Sequence, residues 1–174
     1  KIKKLKVLTD DIYNDNDKIG QFMRTRCSSV LTPIENFDKT FQHFNDIDSI
    51  LEEVGKYSQK IKYVIECILN SNGPVVVYCQ FITYGISFIA NVLRKIGWDF
   101  LNTNNKKTKK PKYAIWSDTG LKDASVTDIN KYQTEFKKTF NNPDNINGDY
   151  CKVLLTTVVE GIDLKNVRQV HITT

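Results

Sequence analysis

The chain has 174 residues, 40% of them hydrophobic and 26% charged, which suits one domain with a real core and is too short for two full-sized ones. Against 20 Asp and Glu it carries 25 Lys and Arg, and the net charge of +5 permits a polyanionic partner without demanding one. No apolar run approaches the roughly 20 residues that a membrane-spanning helix needs.

In chain order, the first stretch is the least regular. KIKKLKVLTDD turns acidic where the apolar core of a signal peptide would begin, and a chain opening on Lys1 reads as a piece of something longer. TDDIYNDNDK is polar and turn-rich, and FMRTRCSSVLTP reads as an extended segment stopped by Pro33. The following aromatics lack clean periodicity until Ile47, so residues 1–56 are expected to be a linker or a decorated edge.

From Ser58 the pattern sharpens. Ile61, Val64, Ile65, Ile68 and Leu69 recur at helical spacing, and Asn70-Ser71-Asn72-Gly73 before Pro74 is a strong stop. VVVYC at 75–79 is uninterrupted and β-branched, as a strand covered on both faces should be. Ile86, Ile89, Ala90 and Leu93 mark a second amphipathic helix ending near Gly97. NTNNKKTKKPK at 102–112 is a basic segment read as a solvated loop, since no aromatics interleave its lysines. YAIW at 113–116 is the next strand, and Thr127 would cap a helix whose Tyr132, Phe136 and Phe140 share one face. VLLTT at 153–157 and VRQVHI at 167–172 complete the set as two further strands, with His171 in a buried one. Strands separated by helices predict an α/β fold: a mainly parallel sheet flanked by helices on both faces.

Several chemistries are excluded by residue type. Cys27, Cys67, Cys79 and Cys151 form no CxxC pair and have no adjacent His, which argues against structural zinc and for a reduced, intracellular protein. There is no GxxxxGK[ST] phosphate loop and no GxGxxG. Cys79 follows a strand but has no His or Arg to support a thiolate. Open α/β sheets bind ligands at the carboxyl ends of their strands. There TTVVEGIDL puts two hydroxyls, a carboxylate, a glycine and an aspartate on one loop. Hydroxyls and free N–H groups suit phosphate oxygens, and an aspartate suits ribose hydroxyls. The same residues would equally serve a plain loop, with Asp163 capping a turn.

GPVVVYCQFITYGISFIANVLRKIGW, YAIWSDTG and FNNPDNINGDYCKVLLTTVVEGIDLKNVRQVHI resemble, in order, motifs IV, IVa and V of the second RecA-like lobe of superfamily 2 helicases. The similarity is to the poxvirus-type nucleoside triphosphate phosphohydrolase I and early transcription factor small-subunit ATPases. It covers residues 57–174 and implies a RecA-like three-layer fold.

By position, the resemblance assigns Gln80, Phe81, Gly120, Thr156 and Thr157 to the nucleic-acid strand. Glu160, Gly161 and Asp163 would face an inter-lobe ATP site, with Asp163 near the ribose. It implies ATP with Mg2+, held mainly by a first RecA-like lobe, with nucleic acid, DNA in those ATPases, as a partner. RNA polymerase is a further implied partner, and the setting would be intracellular and cytoplasmic, with no membrane. The family continues into motif VI with its arginine finger, whereas this sequence reads HITT at its end, so the 174 residues alone are expected to be inactive and to hold no catalytic residue. The alternative is a non-catalytic helicase-like module that docks nucleic acid or a transcription complex.

Overall fold

The computed structural model describes residues 30–31, 34, 36–102, 109–117, 129–158 and 161–173. Among the described residues, three full helices precede the first strand: α1 (Phe37–Phe41), α2 (Ile47–Tyr57) and α3 (Gln59–Asn70). Each starts on a residue whose side chain accepts a main-chain N–H of the first turn, Asn36 from Lys39, Asp46 from Ser49 and Ser58 from Ile61. Strand β1 (Val75–Tyr78) leads through a π-helical turn (Ile82–Ile86) into α4 (Ser87–Lys95). The short β2 (Asp99–Phe100), β3 (Lys112–Trp116), α5 (Ile129–Phe140), β4 (Val153–Thr156) and β5 (Gln169–Ile172) follow.

The five strands form one sheet in the order β2-β3-β4-β1-β5, and every pair is parallel. α4 carries the chain from β1 out to the β2 edge on one face, and α5 carries it back from β3 to β4 on the other. That change of face is what right-handed crossovers require when the direction of travel along the sheet reverses. Alternate strand residues therefore serve two cores. Val75, Val77, Cys79, Tyr113, Val153 and Leu155 pack with Ile61, Ile65 and Ile68 of α3 and Ile89, Val92 and Leu93 of α4. Val76, Ala114, Trp116 and Leu154 pack with Phe136 and Phe140 of α5. The architecture is the expected three-layer α/β fold of RecA-like type.

Some local expectations change. The irregular aromatics before Ile47 are core: Phe37 stacks on Phe41 at 4.4 Å between centroids and meets the edge of Phe88 at 5.6 Å. Together with Ile50, Leu51 and Val54 of α2, Phe41 lies in the same core cluster as β1. Val30 and Leu31 are buried there too, and Ser58 donates its hydroxyl to the Val30 carbonyl. The rest of the segment read as extended before Pro33 lies outside the described residues, as do Thr127 and most of the 102–112 loop. Lys112 is no loop residue. It opens β3 at 1% exposure, with its ammonium turned back onto the Lys110 carbonyl at 3.2 Å.

β5 is not a buried strand either. It occupies the sheet edge, paired with β1 alone among the described strands, and none of its residues belongs to the core that α5 covers. Val170 and Ile172 are consequently 62% and 70% exposed, and His171 is only half-buried.

Candidate functional site

The carboxyl ends of the strands are bound to one another beyond the ladder itself. Cys79 donates its N–H to the Thr156 carbonyl at 3.0 Å, Thr157 to Trp116 at 3.2 Å, and Thr173 to Tyr78 at 2.9 Å. The residues following β1, β3, β4 and β5 thus form one continuous rim, as a parallel sheet demands when its strands end in register. Of the positions expected to meet nucleic acid, Gln80, Phe81, Thr156 and Thr157 all lie on this rim, and Gly120 lies outside the described residues.

Their surroundings differ. Thr156 is 3% exposed, and its hydroxyl closes a local turn, accepting from Val158 N–H at 3.0 Å and donating to Val158 C=O at 2.9 Å. Thr157 and Gln80 are half-buried. Phe81 is 6% exposed and belongs to the core cluster of β1 and α4, which leaves its ring little free face for a strand of bases. The turn after it depends on Gly85, where a Cβ would stand 2.1 Å from Cys79 Sγ, so that only glycine allows the π-helical turn to lie on the buried thiol.

Of the nucleotide-facing positions, Glu160 lies outside the described residues, while Gly161 and Asp163 are exposed. Gly161 has φ +76, a left-handed backbone that glycine adopts without strain, and a Cβ there would meet nothing within 4 Å. The loop is held from beneath, since Ile162, Leu164 and Val167 pack against the core of Phe136 and Phe140.

Sequence reasoning missed the residues that secure it from the side. Asn141 Nδ2 donates to the Asp163 carbonyl and Asn141 Oδ1 accepts from the Lys165 N–H, both at 2.8 Å. Asn145, fully buried, donates to the Phe140 and Cys151 carbonyls and accepts from the Tyr150 and Cys151 N–H groups. The signal was present as the asparagines of FNNPDNINGDY, but their composition reads only as turn.

Among the described residues the loop thus presents an open space beside Gly161 and an exposed side chain at Asp163. There is no group of three His, Cys, Asp or Glu among the described residues that could hold a metal ion. The described cysteines, Cys67, Cys79 and Cys151, are free thiols; Cys67 is half-buried, Cys79 and Cys151 are buried, and burial pushes Cys151 up to about 12. No helix among the described residues is long and apolar enough to cross a membrane.

A protein of Acanthamoeba polyphaga mimivirus, whose name assigns it to the ATP-dependent RNA helicases, is 32% identical over 167 residues, 93% of this chain. A protein of African swine fever virus named as a homologue of the termination factor NPH-I is 28% identical over 142 residues, 66% of the chain. A Frog virus 3 protein carrying a helicase name is 28% identical over 126 residues, 71% of the chain. This chain belongs to their helicase-like family. No protein-family model matches it. The chain spans 27%, 20% and 12% of these three relatives, so it corresponds to one segment of much longer proteins.

Proposed function

We propose that this chain is the second RecA-like lobe of a superfamily 2, nucleic-acid-dependent ATPase acting in transcription. In this proposal it grips the backbone of the strand being tracked and supplies the ribose-facing half of an inter-lobe ATP site. Residues 57–174 make the lobe, and 1–56 form its edge or inter-lobe segment. The observation that carries the proposal is that Gln80 and Thr157 follow adjacent parallel strands on one rim of an all-parallel sheet, in a chain related to helicase-like proteins.

The roles divide by burial. Thr157 and Gln80 contact phosphate oxygens, and Thr156 shapes the turn that presents Thr157. Phe81 packs in the core of β1 and α4 rather than against the strand. Asp163 accepts from the ribose hydroxyls. ATP and its Mg2+ are held chiefly by the first lobe, which draws this lobe closed, and release after hydrolysis shifts the grip on the strand. DNA is the strand expected from the resemblance to the DNA-dependent ATPases.

The test is a salt titration of binding to labelled single strands of DNA and of RNA. Affinity should be weak and should fall steeply with salt, because neutralised phosphates release counterions. Thr157→Ala with Gln80→Ala should weaken binding to all sequences alike. Salt-independent binding, or no change in the double variant, would refute the backbone-gripping role, and tighter RNA than DNA binding would replace DNA with RNA.

A further inference from the structure

The side chain of Asn141, the residue that ends α5, makes the contacts a neighbouring strand would make. It donates to the Asp163 C=O and accepts from the Lys165 N–H, each at 2.8 Å, so one amide satisfies a carbonyl and an N–H two residues apart. Chemistry fixes its orientation, since a flipped amide would set NH2 against N–H and oxygen against oxygen. The contact reaches 22 residues along the chain to Asp163 and 24 to Lys165, and so joins two separate segments.

The neighbouring residues reinforce the junction. Asn166 donates to the Asn142 carbonyl at 3.5 Å. Asn166 is also the one non-glycine residue with positive φ (+62) among the described residues, a backbone that asparagine tolerates better than most. Asn141 itself is anchored to the helix by its N–H on the Lys137 carbonyl at 3.0 Å. The Asp163 main chain is thereby fixed to the end of α5, while its side chain stays outside.

We infer that Asn141 is a positioning residue: it sets the Gly161–Asp163 loop against α5 so that the Asp163 carboxylate is presented to the nucleotide sugar. The inference rests on the nucleotide role proposed above for that loop. Asn141 touches the loop's backbone and not the ligand, so its loss acts through the orientation of Asp163.

Two measurements on the 174-residue chain test it, with Asn141→Ala and Asn141→Asp beside the unchanged protein. The first is hydrogen exchange at the Lys165 amide. It should rise about tenfold in Asn141→Ala, as loss of two modest hydrogen bonds implies, and stay low in Asn141→Asp, which keeps the acceptor. The second is titration with ATP and with 2′-deoxy-ATP, followed through the amide signals of Gly161–Asp163. The unchanged protein should prefer ATP. Both variants should lose most of that preference, because each removes the donor to Asp163, while their thermal unfolding midpoints stay close to the unchanged protein's. Unchanged Lys165 exchange in Asn141→Ala, or a sugar preference that survives both substitutions, would overturn the inference. If the unchanged protein gives no response to ATP, the nucleotide half of the proposed function falls with the sugar-presenting part of this one, and Lys165 exchange alone decides whether Asn141 clamps the loop.

Discussion

Asn145→Ala is the substitution from which the most can be computed. The side chain is fully buried and makes four hydrogen bonds of 2.9–3.1 Å, donating to the carbonyls of Phe140 and Cys151 and accepting from the N–H groups of Tyr150 and Cys151. Alanine removes all of them and leaves Cys151, itself buried, with both main-chain groups short of a partner. At a net of about 1 kcal/mol each, the loss comes to about 4 kcal/mol. Against a total stability of about 5–15 kcal/mol that is a large fraction. It corresponds to a fall of about 8–16 °C in midpoint for a domain of this size. Urea unfolding followed by fluorescence measures it, with an unchanged slope confirming that only stability moved. Asn145→Asp supplies the control. It keeps the acceptor for the two N–H groups but turns an oxygen toward two carbonyls, so the buried carboxyl is pushed above the usual carboxylate range. A raised folded-state value means stability is best at low pH and is lost as pH rises through it. An alanine variant within about 1 kcal/mol of the unchanged protein, or an aspartate variant equal to it at pH 7, would refute the assignment of this residue as the bracket between α5 and β4.

Other outcomes follow from single contacts. Gly85→Ala should destabilise by about 1–3 kcal/mol through overpacking on Cys79, and Cys79→Ala in the same chain should restore part of it; additive losses in a double-mutant cycle would refute the contact. In a Cys27→Ser background at pH 8, a thiol reagent should modify Cys67 rapidly and Cys79 and Cys151 only at the rate of unfolding; fast reaction of Cys151 would contradict its burial. Burial lowers the pKa of His171 below 6.5, so the folded state favours the neutral ring. Its contribution is complete above that pH and declines as pH falls toward the folded-state value. His171→Gln should flatten the stability profile as pH falls below 6.5, and an unchanged slope there would remove His171 from the account.

How much of this was legible depends on whether a residue's role is local. α3, β1, α4 and α5 could be read directly, because Ile61, Ile65 and Ile68, then Ile89 and Leu93, then Tyr132, Phe136 and Phe140 each keep a helical period, and Val75 to Val77 form a run buried on both faces. α1 and α2 could not. Phe37 and Phe41 are buried by one another and by Phe88, far along the chain, and the buried Glu53 interrupts the apolar face of α2 while pairing with Lys56 at 2.6 Å. β5 has an apolar alternation like that of a covered strand, and nothing in the strand itself says that α5 stops short of it. The rim was legible as a place, since Gln80 and Thr157 both follow strands, whereas the tie of the Asp163 backbone to the end of α5 was not. The burial of Phe81 and of the Thr156 hydroxyl was not, because motif position carries no information on which atoms face inward. Asn141 and Asn145 were hidden by composition, as an asparagine-rich stretch looks the same whether its amides point to water or bracket a backbone.

The pairing pattern of β1 sets a timetable for biosynthesis. Val75 pairs with Val153 on one side and with Gln169 on the other, so neither edge of β1 is closed until β4 and β5 have been made. At roughly 5–20 residues per second, the ribosome leaves that apolar strand waiting for about 4–20 s with both hydrogen-bonding edges open. During that interval α3 and α4 can shield only one of its faces. Long-range parallel pairing of this kind is slow and prone to aggregation. Yield in a heterologous host should therefore depend on growth temperature and chaperone supply more than on the stability of the finished domain.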